Sequence, residues 1–203
     1  MNTNSENVRP VRLRDRLRDE VDRTILAAAE EVFSEEGLSA KVEKIAARAG
    51  VAVGTLYNHF ADREALATAL ARARRDSLLS RLDAALSECD GRPVEDQLRA
   101  FVSAVAEHGK AHGRYLSMLV QAGEGPARAH PGHSLLEDLL SRVDVIAARG
   151  IASGELRPEG REVYGLALLG MIRLANVRIL EGAAKWESLA GPLVDLFLRG
   201  AAR

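Results

Sequence analysis

The sequence predicts an all-α protein of about nine helices, a small N-terminal helical unit followed by a larger helical bundle. Three observations carry this. Apolar residues recur at helical spacing in segment after segment, with breaks at glycine or proline. No sustained run alternates β-branched residues with polar ones, as a half-buried strand would. Apolar residues make up 47% of 203, enough for a real core.

Taken in order, residues 1–17 read as a flexible arm. Residues 1–8 are polar, and five arginines stand at positions 9, 12, 14, 16 and 18. Such an arm suits a solvated helix start or a strand of chain lying along a nucleic-acid backbone. Ile25, Leu26, Ala29, Val32 and Phe33 then form one stripe, which places a first helix over 18–36. Gly37 and Leu38 fit its left-handed end and the trailing apolar contact. A second helix spans 41–48 and stops at Ala49-Gly50, where glycine can turn the chain at positive φ. A third, barely two turns long, covers 53–59. Asp62 suits the N-cap of a fourth helix over 62–87, with Glu64 in its first turn. Beyond Pro93 the helices read as 93–110, 113–122, 133–152, 159–181 and 187–199. The organisation is thus an N-terminal domain over 18–66, the linking helix, and a C-terminal domain over 67–203.

The third helix poses a physical question. A helix that short cannot stabilise itself, because nucleation is costly and few residues repay it. Leu56 and Phe60 lie i,i+4 and can turn inward onto Leu26, Ala29, Phe33, Ile45, Ala46 and Leu66. The layout is a helix-turn-helix: a small residue at Ala46 where helices cross, a turn glycine, and apolar anchors at the required offsets. Val53, Gly54, Thr55, Tyr57, Asn58 and His59 cannot all be buried with them. Hydroxyl, phenol, amide and imidazole groups beside a bare glycine suit a DNA major groove.

The strings "RTILAAAEEVFSEEG" (23–37), "IAARAGVAVGTLYNHF" (45–60) and "DREAL" (62–66) resemble, in order and spacing, the DNA-binding domain of the tetracycline-repressor (TetR) family. The resemblance covers about a quarter of the chain. It implies a homodimeric, all-helical transcription regulator, usually a repressor, whose C-terminal domain dimerises and usually binds a small inducer. By position, Val53, Gly54 and Asn58 would face bases, and Thr55, Tyr57, His59 and Arg63 would contact phosphates. Two departures stand out. Ala52 replaces a Ser or Thr cap, a loss typically worth about 1 kcal/mol. Ala40-Lys41 replaces a Thr pair, so Lys41 would offer a charge where a hydroxyl is usual.

Charge supports this locally. The whole chain carries 28 Lys/Arg against 29 Asp/Glu, a net of −1. Residues 41–75 carry 7 against 3, a net of +4, and residues 76–203 carry 15 against 17, a net of −2. Local fields govern phosphate binding more than the total does.

The C-terminal half is less explicit. Tyr164, Leu168, Ile172, Ala175 and Ile179, with Leu193, Leu196 and Phe197, make its last two helices apolar on more than one side. A four-helix dimer interface would use both sides, with Gly165 and Gly170 allowing close approach. Phe101, Val105, His108, Tyr115, Met118, Leu119, Leu139, Val143, Met171 and Asn176 are candidate lining for an inducer pocket, mostly apolar with a few polar groups. The inducer itself would be largely apolar. His108 and His112 are i,i+4, with His130 and His133 following, but no acidic or Cys partner is placed beside them, and no metal site is expected. The single cysteine, Cys89, excludes an internal disulfide and fits a reducing cytoplasm. No signal-peptide or membrane-spanning stretch is read. No nucleophile, paired-carboxylate or phosphate-loop motif points to an enzyme, and no cofactor is expected. The leading expectation is a repressor released from a near-palindromic operator by a small molecule. The alternatives are a DNA-binding regulator without such a ligand and, remotely, a helical-bundle enzyme.

Overall fold

The computed structural model describes residues 13–121 and 135–201, and of 116–121 the backbone alone. Its described residues form eight α-helices: α1 (Leu13–Glu36), α2 (Val42–Ala49), α3 (Val53–His59), α4 (Arg63–Glu88), α5 (Val94–Gln121), α6 (Leu135–Ser153), α7 (Tyr164–Leu180) and α8 (Trp186–Ala201). A 3-10 turn at Pro158–Gly160 precedes α7. No strand occurs among them. The chain divides into two compact units, with the division inside α4, after Leu70.

The first unit is built on an apolar centre. Ile25, Ala29, Phe33, Ile45, Ala46, Leu56, Leu66 and Leu70 are all fully buried. Leu56 is the one residue of α3 that is buried in this way. Burying a leucine contributes about 1.5–3 kcal/mol, more than a seven-residue helix can supply from its own backbone. The turn before α3 has the expected conformation: Gly50 has φ +69°, and its N–H and that of Val51 bond back onto α2. Ion pairs on the outside fasten α2 to α1. Lys44 meets Glu36 at 2.8 Å, and Arg48 meets Glu31 at 2.8 Å and Glu35 at 3.2 Å.

In the second unit, α5 packs against α6, α7 and α8. Its core runs through Leu82, Leu98, Phe101, Val102, Ile146, Leu168 and Val194. Gly150 marks a tight approach, since a Cβ there would stand 2.6 Å from Val94 and 2.8 Å from Leu156. Glu155 reaches the start of α5 and accepts the Val94 N–H at 2.9 Å, meeting one of the orphan donors of a helix end.

Three boundaries differ from expectation. α1 already runs from Leu13, so the expected arm over 1–17 is helical at least from that residue; residues 1–12 lie outside those described. The expected helices 93–110 and 113–122 are one. Gly109 does not break α5 because the Trp186 indole lies against it; a Cβ there would meet Nε1 at 3.0 Å. The expected helix 159–181 starts only at Tyr164. That ring covers Gly160, and its hydroxyl donates to the Arg157 carbonyl at 2.7 Å, which folds residues 157–163 into a tight turn.

Leu56→Ala should remove about 2–5 kcal/mol from the N-terminal unit. Urea denaturation of the full chain, followed by a probe in each unit, should show the N-terminal transition moving earlier while the C-terminal one stays.

Candidate functional site

With Leu56 turned inward, the rest of α3 is divided by its own geometry. Gly54, Tyr57 and Asn58 are exposed, with Tyr57 at 47%. Val53, Thr55 and His59 are half-buried at the edges of that face. The expectation that Phe60 joins the core is met only in part, because it too is half-buried, in extended backbone just past the helix. Neither α2 nor α3 has a side-chain cap: Lys41 and Ala52 occupy the cap positions without a hydrogen bond. Lys41 is therefore exposed and uncommitted to the helix end. Arg63 is exposed and donates to the Ser39 carbonyl at 3.2 Å, which holds its guanidinium beside the loop before α2.

One contact on this face had no local signal in the sequence. His59 Nδ1 lies 2.5 Å from Asp22 Oδ1 on α1, 37 positions away. An ionised carboxylate only accepts, so Nδ1 carries the proton of this bond. Asp22 is one of several charged residues on an amphipathic helix, and nothing in its neighbourhood marks it as the partner of an imidazole.

The expected pocket residues lie mostly in the interior of the second unit. Phe101, Val105, His108, Tyr115 and Val143 are buried, and Leu139, Met171 and Asn176 half-buried. Met118 and Leu119 lie outside the described side chains. An open groove of about 460 Å³ runs along α6, lined by Glu137, Leu140, Asp144, Val145 and Arg161, none of them in the expected set. The polar groups in the interior are unusual. The rings of His108 and His112 stand 4.7 Å apart, Asn176 faces Gly109, and the Trp186 N–H is buried without an acceptor. Among the described residues no three His, Cys, Asp or Glu side chains converge as metal ligands. His130 and His133 lie outside them.

The residues expected at a dimer interface lie mostly inside the single chain. Tyr164, Leu168, Ile172, Ala175, Leu193 and Phe197 are buried in the core of their own chain, at 8% exposure or less, and Ile179 is half-buried. Tyr164 and Phe197 meet edge to face at 5.8 Å. Of the expected set only Leu196 is exposed. α7 is apolar on two sides. The outward side carries Leu166, Leu174 and Val177, with Gly170 open beside them. Gly165 instead packs under Leu140 of α6.

Residues 25–70 match the family model of bacterial regulatory proteins of the tetR family. No curated protein matches in sequence. Among solved structures, the chain is similar to the transcriptional regulator FadR from Bacillus subtilis in complex with stearoyl-CoA, at 22% identity and TM-score 0.71, covering 88% of this chain and 98% of that one. It is also similar to the TetR family transcriptional regulator PfmR from Thermus thermophilus, at 23% identity and TM-score 0.70, covering 88% and 99%. A fatty acid degradation regulator FadR from Bacillus halodurans matches at 21% identity and TM-score 0.71, covering 88% and 98%. At these identities the likeness is one of fold. No helix among the described residues is long and apolar enough to cross a membrane.

His108 has a measurable consequence. Burial first, then the nearby His112, Arg74 and Arg81, lower its pKa from 6.5 to about 4. The unfolded chain therefore binds this proton at a pH where the folded chain does not. The stability from keeping it neutral is present above about pH 6.5 and is lost as pH falls toward 4. Between pH 7 and 5 the loss is on the order of 2 kcal/mol, and His108→Gln should remove that part of the pH dependence. Denaturation curves of both chains at the two pH values check it.

Proposed function

We propose that this chain, whose N-terminal domain is that of the tetR family of bacterial regulatory proteins and whose fold is that of TetR-family transcription regulators, represses transcription from a near-palindromic operator and is released by a small molecule. The observation that carries this is α3: one buried leucine anchors it, and Gly54, Tyr57 and Asn58 face outward together. On this reading Val53, Gly54 and Asn58 meet base edges, while Thr55, Tyr57, His59, Arg63 and Lys41 meet phosphates. Arg63 supplies a planar, bidentate donor for that role. Two copies present their α3 helices to successive major grooves, about 34–36 Å apart.

The pairing surface we assign is the outward face of α7 and α8. Leu166 is 61% exposed, Leu174 64% and Leu196 65%, and burying them with Val177 against a second copy removes a large apolar patch from water. The ligand site lies in the interior of the second unit, around α5. Its apolar walls and few polar groups fit a largely apolar molecule with one hydrogen-bonding end. The solved relative carrying stearoyl-CoA supports a ligand of that general character. Release requires that the ligand bind the DNA-free state more tightly than the DNA-bound one.

Selecting bound fragments from random duplex DNA tests the reading: two inverted half-sites about one helical turn apart are expected, and recovery of no preferred sequence would refute it. Asn58→Ala should relax base preference. Arg63→Ala should weaken binding to all duplexes and lower the slope of log affinity against log salt by about 0.9. Leu174→Glu with Leu196→Glu should turn a dimer into a monomer by sedimentation and abolish tight operator binding.

A further inference from the structure

We propose that the ligand of the second unit is held by an accepting oxygen, in a carbonyl or carboxylate head, bonded to the Trp186 N–H beside Asn176 on one side of α5. The proposal rests on the ligand-release reading above and names the chemical class of that ligand.

Trp186 opens α8 and is 3% exposed, and its Nε1 is buried with no acceptor among the described residues. An indole nitrogen can only donate. Leaving such a donor unmet in the interior is costly, and a bound water or ligand is the usual source of the missing acceptor.

Trp186 from α8 and Asn176 from α7 come together over Gly109 of α5. A Cβ there would stand 3.0 Å from Nε1 and 3.6 Å from Asn176 Oδ1. The bare glycine leaves no side chain of α5 between these two polar groups and the helix. An amide carries donors as well as an acceptor, so Asn176 can add a second N–H to the same oxygen. Gly113 lies one turn along the same side of α5. It is half-buried, and a Cβ there would meet no described atom within 4 Å. The donors thus stand beside two glycines one turn apart, with open space at the second.

Charge selects among possible heads. Burial first, then His112, Arg74 and Arg81, oppose positive charge at His108, one residue before Gly109. Glu187, next to Trp186, is paired to Lys110 at 2.5 Å. An ammonium head would enter surroundings that disfavour a cation, and it has no lone pair to accept the indole bond. A carbonyl or carboxylate oxygen meets both conditions.

Dodecanoate, methyl dodecanoate and dodecyltrimethylammonium, each below its micelle concentration, test the class on the full chain. Trp186 is the only tryptophan of the sequence, so the single indole N–H signal in nitrogen-15 spectra reports this site in the wild type, without a variant. One or both of the accepting probes should move that signal downfield and slow its exchange with water; which of them does so distinguishes a carboxylate from a neutral carbonyl. The ammonium should leave it in place. Trp186→Phe keeps a ring and loses the donor, and by calorimetry should bind the accepting probes about tenfold more weakly. An indole signal unmoved by both accepting probes, as a bound water alone would give, overturns the proposal. So does equal affinity in Trp186→Phe, or an equal shift with the ammonium. A probe that releases a duplex recovered by selection while the indole signal stays unmoved leaves the release reading standing and overturns this site. A probe that shifts the indole signal and leaves operator affinity unchanged supports the site and counts against release.

Discussion

Burial of Leu56 is the constraint on which the rest of the N-terminal unit depends. A seven-residue helix makes too few internal hydrogen bonds to offset its own nucleation. It persists because one side chain, Leu56, is taken wholly out of water. That single anchor also fixes the rotation of α3 about its axis. Once Leu56 points inward, the helical period turns Gly54, Tyr57 and Asn58 outward, with His59 at the rim. The absence of caps on α2 and α3 raises the share of stability that must come from this packing.

The ion pairs around that core have different weights. Lys44 and Arg48 meet glutamates of α1 in the open, where solvent screens such pairs and they contribute little. Their larger effect is to occupy two cations that the sequence leaves available for DNA. The Asp22–His59 contact is more sheltered and ties the end of α3 to α1.

In the C-terminal unit the polar interior sets the problem. His108, Asn176 and the Trp186 N–H sit among aliphatic side chains, and unmet donors in such surroundings are costly. Keeping His108 neutral is the folded chain's response to burial beside His112, Arg74 and Arg81. A core built only for stability would carry apolar residues at these positions.

The sequence by itself determined the all-helical class, the turn at Gly50, the inward role of Leu56 and the likeness of residues 25–70 to the tetR family model. Each is written in a short window by period and punctuation. Tertiary structure decided what a local pattern cannot hold. Two apolar sides of α7 look equal in sequence, and only packing against α6 and α8 shows that Leu168 and Ile172 are inside while Leu166 and Leu174 are outside. Gly109 reads as a break until Trp186, 77 positions on, lies against it and the helix runs through. Asp22 reads as surface charge until folding brings His59 within 2.5 Å. Local rules fix backbone conformation and period; which partner a side chain meets is set by chain closure over tens of residues, and that information is not local.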